Sequence, residues 1–427
     1  MLIAGETSGD MLAAELVRAL RKELSDAEAI STPDYQPLHT SLEPRFFGAG
    51  GPRMAAEGVE LAFDLTAHSV IGLSDALKNY LKFRRLFHQL LEMAFERQPD
   101  AIICVDFSGF NRRFAHAIKQ HARTHSGWFH DWSPRIIQYV SPQVWASRED
   151  RAYQMARDYD LLLSIFPFEK EWYAKKVPQL PVEFIGHPII DRHLKAEGRG
   201  EKAEPSAVAS SNPHTPASPV VLLLPGSRIS EVKRHLPVML GALEAMRDAF
   251  PNLRARMVLP DDALLRLSKG VSVPASMEIQ TGGLPAALAG ADVAIASTGT
   301  VTLECASFGL PTVAIYKTSW TSYQIGRHLV KVKYLAMPNL LVNEEIMPEF
   351  IQEKATPENI ARAAIELLRD ESRRAKVKAK LAEVVVSLGE AGASGRAARA
   401  IVQMVAPERE WIRRDQQIMD WAQPLRG

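Results

Sequence analysis

Cysteine is nearly absent: Cys104 and Cys305 are the two in 427 residues, and both sit inside apolar runs. That excludes a disulfide framework and predicts buried thiols in a reducing compartment. No run approaches the ~18 uninterrupted apolar residues of a membrane-spanning helix, and no secretory leader is expected. The formal charge is only +1, so no global basic field points to nucleic acid as a partner. No His/Cys group has metal-ligand spacing, and no Asp-x-Asp pair stands at a strand end, so neither a metal nor another cofactor is expected. A GxGxxG fingerprint is missing after the first strand, which argues against a Rossmann dehydrogenase.

What is present is apolar residue in quantity, 46% of the chain, enough for two packed domains. Short buried runs recur between helical patterns, which is the rhythm of a doubly wound α/β sheet. The spacing predicts strands at 101–106, 136–140, 161–165 and 182–185. After a break they resume at 220–224, 255–259, 277–280, 292–296 and 312–316. The break, 196–219, is Ala, Ser, Pro, Glu and Gly with almost no large apolar residue, so it reads as a linker or surface insertion. The expected division is a domain over 1–190, a linker over 191–219, a second domain over 220–403 and a tail over 404–427. Met1-Leu2-Ile3-Ala4 runs straight into a glycine loop; so short a first strand leaves a start further upstream open. The tail carries Trp411 and Trp421, which predicts that it docks on something.

The most informative stretch is LLLPGSRISEV, 222–232. It reads as a strand, a Pro225-Gly226 turn, then Ser227 and Arg228 opening a helix. Free N–H groups and the dipole at a helix start favour phosphate, and the Arg228 fork matches two phosphate oxygens. ASTGTVTLE, 296–304, repeats the design. Thr300 adds a hydroxyl, and Glu304, one helical turn on, can accept two ribose hydroxyls or simply complement the helix dipole. Together they suggest a cleft for a nucleoside diphosphate.

The first half supplies other candidates. Asp106 ends the buried run AIICVD, where open α/β sheets bind ligands; a turn or helix-cap Asp is the plainer alternative. GETSGD, 5–10, makes the first strand-to-helix loop, and GAGG, 48–51, is either a second such loop or a crossing of packed backbone. Residues 69–97 read as an amphipathic helix. Its basic cluster is either a solvated face or, with Val70, Ile71, Leu73, Leu77, Arg84 and Arg85, a patch that meets anionic lipid headgroups.

GETSGD (5–10), GAGGPRM (48–54), VDFSGFN (105–111), YVSPQVWA (139–146), FPFE (166–169), FIGHP (184–188), LLPGSRISEV (223–232), ASTGTVTLE (296–304) and MPNLLVN (337–343) fall in order along the chain. Taken together they resemble the lipid-A-disaccharide synthase family. The resemblance implies a GT-B fold, two Rossmann-like domains facing across a cleft. It implies an inverting glycosyltransferase joining UDP-2,3-diacylglucosamine to 2,3-diacylglucosamine 1-phosphate (lipid X), giving the β-1,6 lipid A disaccharide phosphate and UDP. It places the enzyme in the cytoplasm of a Gram-negative cell, peripheral to the inner face of the inner membrane, and leaves a homodimer open.

By the same resemblance Asp106 is the general base for the acceptor hydroxyl. Glu6, Ser8 and Asp10 line the acceptor-side loop. Ser227, Arg228, Thr300 and Glu304 hold UDP. Two departures stand out. Gly109 occupies a position where the family often has a second Asp, and Thr298 is an extra residue in the donor loop, which disturbs its register. The alternatives are another GT-B enzyme acting on UDP-N-acetylglucosamine, a 2-epimerase or a lipid-linked transferase, and a non-catalytic nucleotide-sugar-binding protein.

Overall fold

The computed structural model describes residues 1–29, 44–69, 80–125, 127, 131–196, 218–268, 273–274 and 276–405. The chain divides into two compact units, each built on one all-parallel sheet.

The first unit holds seven strands: β1 (Leu2–Ala4), β2 (Phe47–Gly50), β3 (Glu60–Asp64), β4 (Ala101–Val105), β5 (Arg135–Tyr139), β6 (Leu161–Ser164) and β7 (Val182–Phe184). Their spatial order is β3-β2-β1-β4-β5-β6-β7. β1, β4 and β6 are apolar and almost wholly buried, as strands covered by helices on both faces must be. β3 was invisible in the sequence. It lies at the sheet edge, and its residues ELAFD alternate between exposed and half-buried, so no apolar run marks it.

The GAGG stretch is close backbone packing. A Cβ on Gly48, at φ +152, would lie 1.8 Å from the Leu2 carbonyl oxygen. Only glycine lets β2 approach β1 there.

The second unit holds β8 (Val220–Leu224), β9 (Arg254–Leu259), β10 (Glu278–Thr281), β11 (Val293–Ser297), β12 (Thr312–Tyr316) and β13 (Glu349–Ile351). The order is β10-β9-β8-β11-β12-β13, again all parallel. β8 and β11 are central and buried at every residue. β13 is a short, half-buried edge strand that the sequence pattern did not mark. The helix Ile229–Arg247 packs on this sheet with Val232, Leu236, Met239, Leu243 and Met246, one apolar stripe at helical spacing.

The domain boundaries differ from the sequence expectation in two places. Pro188–Ala196 forms a helix that falls almost wholly in the second unit. The second domain, expected to run to 403, ends at Ala391, between the helices Glu371–Ser387 and Ala393–Val405, which part around Gly389 and Gly392. The second of these belongs to the first unit, not the second. Its Ala397, Ala398 and Ile401 are buried there; Arg399 Nε donates to Glu23 at 2.9 Å, and Arg396 Nε to the Ile185 carbonyl at 2.7 Å. A small-residue face at helical spacing suits close packing against a long helix, Thr7–Ala29. The break 197–217 and the tail 406–427 lie outside the described residues, as do Val70, Ile71, Leu73 and Leu77.

Candidate active site

In an open parallel sheet ligands bind beyond the carboxyl ends of the strands, where the winding reverses. In the first unit that point lies between β1 and β4, in the second between β8 and β11. Asp106 lies in the loop that leaves the first point, and Ser227, Arg228 and Thr300 lie in the loops that leave the second.

Ala4 pairs with Val105, so the loop from Gly5 and the loop from Asp106 leave the sheet side by side. They are packed tightly. A Cβ on Gly5 would fall 2.2 Å from the Phe107 ring, and one on Gly9 would lie 3.7 Å from the Asp106 Cβ. Asp106 and Phe107 both adopt left-handed backbone, at φ +48 and +39. Such conformations cost about 1–2 kcal/mol each for non-glycine residues. Four hydrogen bonds hold the backbone around Asp106 in place. The Asp106 N–H donates to the Tyr139 carbonyl at 2.7 Å, and the Asp106 carbonyl accepts Asn111 Nδ2 at 2.9 Å and Gln138 Nε2 at 3.2 Å. Asn111 Nδ2 also reaches the Val105 carbonyl at 3.3 Å. Asn111 and Gln138 are fully buried. Asp106 therefore has a tightly held backbone at a switch point and is not a relaxed turn residue.

The rest of the acceptor-side set separates into two groups. Glu6 is half-buried and Ser8 exposed. Asp10 does not join them. It is 1% exposed, and its carboxylate accepts the N–H groups of Gly51 at 2.8 Å, Arg53 at 2.9 Å and Met54 at 3.0 Å. It caps the short helix Pro52–Ala56 and ties the first loop to the second. Its lone pairs serve backbone donors, which corrects the expectation that it lines the site.

On the second sheet Leu224 and Ala296 are paired neighbours, so PGSR and STGT emerge together. Gly226 and Gly299 make the turns at φ +121 and +123, open to glycine and strained for other residues. Ser227 and Arg228 are exposed; the helix itself begins at Ile229, with Arg228 still extended. The Thr298 N–H donates to the Ile315 carbonyl at 3.0 Å. The extra residue thus continues the β11–β12 ladder, and the turn comes after it. Thr300 is exposed at the helix start, while Thr302 Oγ turns back to the Gly299 carbonyl at 2.6 Å. Glu304 is half-buried, and burial raises its carboxyl above the ordinary value against the opposing charge of Arg192.

Several residues that matter here were not singled out in the sequence. Glu231 accepts the Ser227 N–H at 3.1 Å and lies 3.6 Å from Arg228. The N–H expected to meet a phosphate is thus engaged by a carboxylate of the same helix. A Glu at the third helical position reaching back over the start is a capping pattern legible in SRISEV. His235 is fully buried beneath the same turn. Asn339, in MPNLLVN, is buried too. It accepts the N–H groups of Ile346 and Met347, both at 2.8 Å, and donates to the Met347 carbonyl and to Glu349, fixing the loop before β13.

Comparison with known proteins agrees with this layout. The family model described as lipid-A-disaccharide synthetase matches residues 1–404. The lipid-A-disaccharide synthase of Nitrosococcus oceani is 34% identical over 413 residues, 95% of this chain and 96% of that protein. Among solved structures, the kitacinnamycin glycotransferase gives a TM-score of 0.54 at 17% identity, covering 95% of this chain and 98% of its own. The UDP-GlcNAc 2-epimerase of Methanocaldococcus jannaschii, solved with UDP-GlcNAc and UDP, gives 0.54 at 11%, with coverage of 95% and 98%. At such identities the structures speak for fold alone, and that fold is GT-B. The sequence match runs through both sheets and every loop described above, and the chain belongs to the lipid-A-disaccharide synthase family.

Proposed function

We propose that the chain joins UDP-2,3-diacylglucosamine to lipid X, with Asp106 as base and the PGSR and STGT loops holding UDP. Membership of the family carries the overall activity, lipid A disaccharide synthesis. The observation that carries the residue assignments is the placement of Asp106 at one switch point and of Ser227, Arg228, Thr300 and Glu304 at the other. Asp106 takes the proton from the acceptor 6-hydroxyl as its oxygen bonds to the anomeric carbon. The bond from that carbon to the β-phosphate oxygen breaks, and UDP leaves with the electron pair. Inversion follows from attack opposite the leaving group. Arg228, Ser227 and Thr300 neutralise and hold the departing diphosphate, and Glu304 accepts ribose hydroxyls.

No metal is assigned a step in this reading; the sequence offers no Asp-x-Asp pair at a strand end to hold one. Arg228→Ala is expected to weaken UDP binding by at least about tenfold, the loss of charge-assisted bonds to phosphate. Isothermal calorimetry checks this, and unchanged affinity would remove Arg228 from the donor site.

Both substrates carry acyl chains, so the reading includes a membrane surface. The helix Tyr80–Arg97 supports it. Leu86, Leu90, Leu91 and Ala94 face the core, while Leu81, 74% exposed, Lys82, Arg84, Arg85 and His88 face outward. Each cation near an anionic leaflet contributes about 1 kcal/mol. Arg84→Glu with Arg85→Glu is expected to cut co-sedimentation with phosphatidylserine vesicles by roughly tenfold or more. Undiminished sedimentation would remove this face from the membrane contact.

A further inference from the structure

His235 lies in the second turn of the helix that follows the PGSR turn, and it is fully buried. Its ring makes two bonds in opposite directions. Nδ1 lies 2.8 Å from the Pro225 carbonyl oxygen, and Nε2 accepts the Lys317 N–H at 2.9 Å. A carbonyl can only accept and an N–H can only donate, so the ring is the neutral tautomer with its proton on Nδ1. One imidazole thus joins the end of β8 to the residue just after β12.

The far partner is itself fixed. Lys317 Nζ donates to the carbonyls of Gln352 at 2.9 Å and Ala355 at 3.3 Å, and the Thr318 N–H donates to Gln352 Oε1 at 2.7 Å. The turn is gripped twice by its own helix, because Glu231, one turn earlier, takes the Ser227 N–H. With Gly226 at φ +121, the turn has a backbone that its own residues alone would leave loose. His235 is the strut that ties it to the sheet.

We propose that His235 is a positioning residue of the donor site, setting the Pro225–Arg228 turn against β12 so that Ser227 and Arg228 present their donors to the diphosphate. The inference rests on the donor-site reading above. Protonation of the ring would put a second N–H on Nε2, against the Lys317 N–H, and break the strut. Burial works against that by lowering the ring below the ordinary 6.5, helped by the nearby Lys317 charge. The Lys317 N–H, which needs a bare Nε2, also favours the neutral ring; the Pro225 carbonyl and Glu231 act the other way, with burial the largest effect. Tyr316 is the other ring at hand, with centroids 6.4 Å apart.

The test uses two conservative variants of the full chain with UDP as the probe. His235→Asn keeps a donor near Nδ1 and loses the acceptor; His235→Gln keeps an acceptor near Nε2 and loses the donor. Thermal unfolding selects the variants that fold. Each is expected to bind UDP about three- to tenfold more weakly at pH 7.5, the effect of one lost hydrogen bond passed to the site. The gap from wild type should narrow as the pH falls and the wild-type ring gains a proton, which burial delays to below the ordinary 6.5; UDP ionisation is common to all samples and cancels in the ratio. In an Arg228→Ala background, His235→Asn should add nothing, because the turn no longer has its main donor. Wild-type affinity in both variants at pH 7.5, or full additivity with Arg228→Ala, would overturn the positioning role. If Arg228→Ala itself leaves UDP affinity unchanged, the donor-site reading has failed instead.

Discussion

Asp106→Asn is expected to lower kcat for sugar transfer by roughly 100- to 10,000-fold, the usual contribution of a positioned general base, with UDP affinity unchanged. The amide is the same size and keeps the backbone free to hold its left-handed conformation, so the loss isolates the proton acceptor. UDP affinity should stand because the residues assigned to UDP lie on the other sheet. The family motif often carries a second Asp where this chain has Gly109, so Asp106 is the one carboxylate in VDFSGFN. A Cβ at Gly109 would meet nothing within 4 Å. Packing therefore does not forbid a side chain there, and the whole demand for a base in this motif falls on Asp106. Steady-state kinetics beside calorimetry decide it. Turnover within a few-fold of wild type would remove Asp106 as the base.

Glu169→Gln is expected to abolish a large loss of stability that sets in as the pH rises through the neutral range. Glu169 is fully buried beneath Trp145, whose Nε1 donates to it at 2.8 Å. Burial pushes its carboxyl up from 4.5 to about 8, against the hydrogen bonds from Trp145, Ser141 and the Phe166 N–H that favour the charged form. The folded chain thus holds this proton at neutral pH, whereas the unfolded chain releases it above about 4.5. Stability from this group is fully present below 4.5 and is lost as the pH rises to about 8. Each pH unit in that window removes about 1.4 kcal/mol, so the wild-type and Gln proteins should diverge by on the order of 2–4 kcal/mol between pH 5 and pH 8. Gln keeps an acceptor for the Trp145 indole and cannot ionise. Urea unfolding of both proteins across that range is the measurement. Parallel stability curves would show that Glu169 is already charged in the fold.

These two residues also show what the sequence disclosed and what it withheld. The central strands were legible because they are uninterrupted apolar runs: Val220–Leu224 and Thr312–Tyr316 lie where the spacing predicts them. The edge strands β3 and β13 were not, because half-exposed strands carry Glu and Asp and lack a run. Asp106 stood out by its place after a buried strand. Its constraint did not, since that depends on Asn111, five residues on, and on Gln138 from the next strand. Asp10 looked like a site residue because it sits in a glycine loop; its actual partners are backbone groups at 51–54, far along the chain. The helix Ala393–Val405 carries a pattern that any sheet face would satisfy, so only packing assigned it to the first unit. His235 and Glu169 were hidden for the same reason. A buried polar group is identified by its partners, and these lie ten to eighty-two residues away for His235, while the Trp145 indole lies twenty-four from Glu169.

The most direct test of the account is mass spectrometry of the products formed from UDP-2,3-diacylglucosamine and 2,3-diacylglucosamine 1-phosphate, with EDTA present throughout. The account predicts a tetraacyl disaccharide monophosphate and one equivalent of UDP, at the same rate with and without the chelator. Unreacted lipid X, beside a donor either unchanged or isomerised at C2, would contradict it; transfer that stops on chelation would contradict the metal-free step.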